Sequence, residues 1–356
     1  MAVLSYINEN IISEINIKTE NMKKVLVTGI SGFVGQHCAV ELLKNGYQVR
    51  GSVRSLSRKE EVIKGIKKEI DPKDNLEFCE LNLLNDSGWK DAMHGCDYVL
   101  HVASPFVIAE PKNENDMIQP AVDGTKRALS FAKIAGVKKV VLTSSTVAMA
   151  GDKKLNKLTQ ESWTNPHTDK VSAYIKSKTM AEMAAWDFYK NQKGDTVMEL
   201  TVINPGPIYG PTLTGNLSGA SMKMIKEMIT GKMPMQPNCS YVMSDVRDIA
   251  NLHVKALENT KTNGKRFIAT SASPNSFVEV ASILKNNGFD KASPKKAPTW
   301  LLKVLSMVNR EMKGMSPFFD VHVSADTAVT NDTFDWQPIP FEKTIIDSAK
   351  SIEAQL

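Results

Sequence analysis

Tyr174 and Lys178 are the pair in this sequence best suited to moving a proton. They stand four residues apart in the stretch Ala173–Lys178, whose helical pattern continues through Glu182 and Trp186. Four residues is close to one helical turn, so the two side chains share a helix face. A tyrosine with an ordinary pKa of about 10 is a poor acid–base catalyst near neutrality. A nearby ammonium stabilises the phenolate and is expected to lower that pKa. Upstream, the apolar run Lys138–Ser145 ends in three hydroxyls, Thr143, Ser144 and Ser145. In open α/β sheets, ligands collect at the carboxyl ends of parallel strands.

Such side chains need a scaffold, and the stretch Lys23–Gly35 (KKVLVTGISGFVG) points to one. Val25, Leu26 and Val27 read as a buried strand ending at Thr28. Gly29, Gly32 and Gly35 follow in the spacing G-x-x-G-x-x-G. Phe33, His37, Val40 and Leu43 then recur at helical spacing, and Gly46 marks the stop. A strand that turns through glycines into a helix N-terminus makes a cradle for a pyrophosphate. Backbone N–H groups face the anion, and the missing side chains let it approach.

The second strand, Tyr47–Arg54, ends on a cation. An acid there would bind the adenosine ribose of NAD, whereas a basic residue accommodates the 2′-phosphate of NADP. Arg54 is followed by Ser55, Arg58 and Lys59. A guanidinium can grip a phosphate with two parallel hydrogen bonds. Arg54 and Lys59 are therefore expected to select NADP(H).

Further strands are expected at Asn75–Asn82, Cys96–Ser104, Lys138–Ser145, Met198–Gly206 and Arg266–Thr270, with helices between them. Strands alternating with helices predict an α/β fold with a parallel, doubly wound sheet. His101 lies inside an apolar strand and reads as a core histidine rather than a base. Six methionines between Met222 and Met243 suit either core packing or an adaptable apolar pocket. The composition is that of an ordinary globular chain, 42% hydrophobic and 23% charged. A net charge of +5, with dispersed basic residues, gives no reason to expect nucleic acid or a membrane surface as partner. No apolar run is long enough to span a bilayer. The four cysteines have no metal-ligand spacing, which suits buried thiols in a reducing cytoplasm. Residues 1–21 lack the features of a signal peptide. Leu4, Ile7, Ile11 and Ile15 follow helical spacing there, and no function is assigned to this extension.

The ordered set TGISGFVG, VRGSVR, HVASP, VLTSS, YIKSK and INPGPIYGP resembles the extended short-chain dehydrogenase/reductase superfamily. Within it, the string GCDYVLHVASP is similar to the dihydroflavonol-reductase-like branch, with its cinnamoyl-CoA, aldehyde and methylglyoxal reductases. The resemblance covers residues 23 to about 354. It implies a Rossmann domain over 22–206, joined again by roughly 240–270. A smaller substrate lobe would comprise 207–239 and 271–356. It further implies that Ser145 hydrogen-bonds a substrate carbonyl, Tyr174 donates the proton and Lys178 tunes it and holds the nicotinamide ribose. The implied cofactor contacts are Thr28, Gly29, Ser31, Gly32, Phe33, Val34 and Gly35 at the cradle, and Asn82 and Leu83 at the adenine. Val102, Ala103, Ser104, Thr143 and Ser144 would follow, then Pro205, Gly206 and Ile208 at the nicotinamide. Asn82 stands where the family usually has aspartate, and Asp123 where it usually has asparagine.

The expected reaction is reduction of an aldehyde or ketone, a small-molecule carbonyl substrate, by NADPH, in a monomer or homodimer. Sugar-nucleotide epimerases or dehydratases and hydroxysteroid dehydrogenase/isomerases share the scaffold. The epimerases and dehydratases usually carry an acid where this chain has Arg54. A non-catalytic nucleotide-sensing protein is a third class, and such proteins often lose the Tyr–Lys pair. Substrate choice is expected in the loop after Pro105, in 151–172, and after Pro211.

Overall fold

The computed structural model describes residues 22–105, 109–150, 156–168, 171–194, 196–215, 217 and 219–356. The helical spacing over Leu4–Ile15, and parts of the expected specificity loops, lie outside the described residues. Seven strands form one parallel sheet: β1 (Lys24–Thr28), β2 (Gln48–Val53), β3 (Leu76–Glu80), β4 (Tyr98–His101), β5 (Lys139–Thr143), β6 (Glu199–Pro205) and β7 (Lys265–Ala269). Their order across the sheet is β3-β2-β1-β4-β5-β6-β7. β1 lies between β2 and β4, with Val25 opposite Val49 on one side and Tyr98 on the other. The winding direction reverses at β1, which opens a crevice beyond the carboxyl ends of β1 and β4.

The first helices are α1 (Phe33–Lys44), α2 (Lys59–Ile66), α3 (Trp89–Met93), α4 (Asn115–Ile134) and α5 (Ala173–Lys190). They are followed by α6 (Ala220–Ile229), α7 (Val246–Glu258), α8 (Phe277–Asn286), α9 (Thr299–Val308), α10 (Arg310–Met315), α11 (Ala328–Phe334) and α12 (Phe341–Glu353). The pleat sorts β1 between two cores. Val25 and Val27 pack with Val40 of α1 and Leu252 of α7 on one face. Leu26 packs with Leu129 of α4 and Ala185 of α5 on the other. The central strands β1, β4 and β5 are covered on both sides, which is why their sequences read as near-continuous apolar runs, whereas the edge strand β3 keeps Glu77 and Glu80 exposed.

A third core lies beyond the sheet. Ile225 and Met228 of α6 meet Val280 and Leu284 of α8 and Ile345 and Ile352 of α12. Several expected methionines are spent here: Met222, Met228 and Met243 are buried.

β3 stops at Glu80, two residues before Asn82. The Asn82 side-chain oxygen accepts the N–H of Leu84 at 2.9 Å, a local turn that competes with the ladder. Asp123, on α4, accepts the side-chain amide of Gln119 one turn earlier at 2.9 Å.

Candidate active site

The glycines make a cradle in which side chains have no room. Gly29 turns with φ +70°, and a Cβ there would stand 3.1 Å from Ala103. The N–H of Gly32 donates to the carbonyl of Gly29 at 2.9 Å, closing the turn. A Cβ on Gly35 would lie 2.4 Å from the same carbonyl. Gly32 caps α1 with no side chain over the helix end, and no acidic residue sits in the first turn. The N-terminal amides of α1 thus face an open, electropositive position suited to a phosphate. Thr28 joins the two strands that flank the crevice. Its hydroxyl oxygen accepts the N–H groups of Val102 and Ala103 at 3.1 and 3.0 Å. Its proton is therefore left for His101 Nδ1, 2.9 Å away, which fixes the proton of that ring on Nε2. Burial, with the charge of Lys178 nearby, pushes His101 down to about 4. It is a neutral core histidine.

Arg54 leaves β2 exposed at the cleft rim and makes no ion pair among the described residues. Arg58, beside it, pairs with Glu61 at 2.9 Å. Lys59 does not line the cleft. Its ammonium stands over the Phe78 ring at 6.0 Å. Asn82 and Leu83 do line it, although the Asn82 oxygen already serves Leu84. Gly124 of α4 leaves space for the Leu83 side chain, 3.1 Å from where a Cβ would be.

At the inner end, the loop after β5 and helix α5 bring Ser145, Tyr174 and Lys178 to one wall. Ser172 caps α5 by accepting the N–H of Ile175, and the Glu110 carboxylate accepts the N–H of Ala173 at 3.0 Å. These two contacts fix the first turn of the helix and with it Tyr174. Ser145 accepts the N–H of Val147 at 3.3 Å and donates to the carbonyl of Pro205 at 3.4 Å, with its hydroxyl near enough to the Tyr174 phenol to influence its titration. Burial pushes Tyr174 up to about 12, and the Ser145 contact pulls weakly the other way. Burial also brings Lys178 down to about 8. The expectation that the ammonium depresses the tyrosine is not what governs this cleft: desolvation does, and it leaves Tyr174 protonated at neutral pH.

Pro205, Gly206 and Ile208 close the floor. A Cβ at Gly206 would stand 2.0 Å from the carbonyl of Val242, so only glycine lets the chain pass there. Cradle, acid–base wall and floor belong to one cavity of about 1740 Å³. Among the residues expected at the site, only Lys59 lies outside its lining.

Residues 25–269 match the model of the NAD dependent epimerase/dehydratase family. The chain belongs to that family. Its relatives include the NADPH-dependent methylglyoxal reductase GRE2 of Saccharomyces cerevisiae, 35% identical over 70% of this chain and 78% of that one. Cinnamoyl-CoA reductase CAD2 of Medicago truncatula is 34% identical over 73% of this chain and 79% of its own. Among solved structures, Gre2 of Candida albicans with NADPH superposes with a TM-score of 0.75 at 25% identity, covering 93% of this chain and 99% of that one.

This member of the family carries a buried polar network that its sequence motifs did not announce. Glu182 lies one turn beyond Lys178 on the same face of α5 and is 1% exposed. Its carboxylate accepts the Ser144 hydroxyl at 2.5 Å, the Asn204 amide at 2.8 Å and the Trp186 indole at 3.1 Å. Arg266 of β7 stands 2.8 Å from it as an ion pair. The Arg266 Nε–H is off line for a directed hydrogen bond, so charge attraction holds the contact. The guanidinium stacks over Trp163 at 3.9 Å, and Nη1 donates to the carbonyl of Ser162 at 2.8 Å. Asn204 also donates to the carbonyl of Ser145 at 3.2 Å. Ser144 and Asn204 therefore anchor the backbone that presents Ser145. Thr143 turns its hydroxyl to His253 at 2.7 Å. The one sequence signal was a glutamate and an arginine inside otherwise apolar patterns.

Proposed function

We propose that this protein reduces an aldehyde or ketone to an alcohol with NADPH, using Ser145, Tyr174 and Lys178. The observation that carries the reading is that Ser145, Tyr174 and Lys178 line the same cavity as the glycine cradle and Arg54. The cradle amides would hold the pyrophosphate, and Arg54 the 2′-phosphate. NADPH, when bound, supplies the hydride. Ser145 donates a hydrogen bond to the carbonyl oxygen and polarises it. Tyr174, protonated at neutral pH, gives its proton to that oxygen as the carbon takes the hydride. Lys178 then stabilises the phenolate until it regains a proton from solvent. The balance is one carbonyl, one NADPH and one proton giving one alcohol and one NADP⁺.

Arg54 at the end of β2, rather than an acid, weighs against an NAD-type epimerase. The test is Tyr174→Phe, assayed as aldehyde-dependent NADPH oxidation. Loss of a general acid costs about 10²- to 10⁴-fold, so the expected result is a fall of at least a hundredfold with NADPH still bound. A variant as fast as the parent overturns the mechanism.

A further inference from the structure

Beyond the cradle and the acid–base wall, the cavity runs on to the α9–α10 hairpin, and the chemistry of that half is distinctive. We propose that the substrate is an uncharged carbonyl compound with an extended apolar body, seated along α9 and α10. This rests on the reductase reading above.

Four observations carry it. First, at about 1740 Å³ the cavity exceeds the roughly 300–1,000 Å³ usual for one small ligand, so it has room for a substantial substrate beside a dinucleotide. Second, the hairpin is tied to the catalytic helix. The Glu110 carboxylate holds the N–H of Ala173, next to Tyr174, while its backbone N–H donates to the carbonyl of Arg310 at 3.2 Å. The Arg310 guanidinium in turn donates to the carbonyl of Glu110 at 2.9 Å. The wall is thus registered to the tyrosine and not to the adenosine end.

Third, this half offers no net charge. Its charged lining residues are Lys223, Glu227, Lys232 and Glu311, two of each sign. Lys223 reaches across from α6 to Glu311 of α10 at 3.0 Å. A carboxylate or a string of phosphates on the substrate finds no uncompensated positive field here. Fourth, most of the remaining surface is apolar, with Asn165, Ser221 and Asn309 among its few polar residues. Leu302, Leu305, Met312, Met315 and Phe318 face the cavity, and thioethers adapt to bodies of different shape. The apolar surface also continues outward. Leu305 is 41% exposed, and Met307 and Val308 beyond it are 77% and 83% exposed.

The experiment is a homologous series. NADPH oxidation is measured with propanal, hexanal and nonanal, with methylglyoxal and hexanoyl-CoA as small and charged comparators. Burial of each added methylene raises kcat/KM by about two- to fourfold, so nonanal is expected to lead. Leu305→Gln, a half-exposed position that tolerates a polar side chain, is expected to shrink the nonanal-to-hexanal ratio. A flat series, a preference for methylglyoxal, or a preference for hexanoyl-CoA over hexanal overturns the apolar-body proposal and leaves the reductase reading standing. If NADPH binds, shown by its fluorescence, yet no aldehyde is reduced, both fall together.

Discussion

Tyr174 and Lys178 are shifted by burial in opposite senses: the phenol up to about 12, the ammonium down to about 8. Both shifts favour the neutral form, because low dielectric penalises charge of either sign. For a reductase the consequence is asymmetric. A protonated phenol is the form that must give up a proton, so raising Tyr174 keeps the acid loaded. Lys178 must be cationic to stabilise the phenolate left behind. Below about 8 it carries its proton, and above that it loses it. The kcat/KM of aldehyde reduction, which reports groups of the free enzyme, is therefore expected to fall as pH rises through about 8. Lys178→Met should lower the rate and erase that limb. A profile unchanged in the variant would remove Lys178 from the proton chemistry. At this scale the sequence was legible for the pair itself, since a four-residue spacing on a helix places two side chains together by geometry alone. The direction of the tyrosine shift was not legible. It depends on desolvation, which no spacing reports.

Strand ends and the start of α5 do most of the positioning. Thr28 ties β1 to the exit of β4, and Glu182 ties α5 to the ends of β5 and β6 and to β7. A buried ion pair is costly to assemble, and removing one partner leaves the other charge stranded. Glu182→Gln is therefore expected to cost about 3 kcal/mol or more of unfolding free energy, read by urea titration. Because one acceptor oxygen becomes an NH2 donor, the donors Ser144, Asn204 and Trp186 can no longer all be satisfied, the Ser145 backbone is less firmly held, and kcat should fall as well. A variant within about 0.5 kcal/mol of the parent, the usual range for surface changes, would show that the network positions nothing. The strands and the glycine cradle were readable because local pattern dictates them. Glu182 and Arg266 were not paired in advance, because they are far apart in sequence and meet only through the fold. Lys59 illustrates the converse. Its place after β2 suggested a phosphate contact, yet the first turn of α2 sends its ammonium to Phe78.

Across the whole molecule, the sheet supplies the cofactor half of the cleft, and α6 with the α9–α10 hairpin supplies the other wall. The doubly wound sheet could be read from strand–helix alternation, and its order places the reversal at β1. The α9–α10 wall could not. Its apolar residues carry no periodic signature that distinguishes a ligand surface from a core. Arg310 and Glu110 hold the hairpin against the start of α5, and Lys223 and Glu311 hold it to α6. The central claim, a reductase built around NADPH, rests on Arg54 at the end of β2. The measurement that tests it most directly is a fluorescence titration of the parent and of Arg54→Ala with NADPH and with NADH. A charge-assisted phosphate contact contributes about 1.5–3 kcal/mol, so the variant should bind NADPH roughly 10- to 100-fold more weakly and NADH as before. Tighter binding of NADH than NADPH in the parent, with no response to Arg54→Ala, would contradict the account.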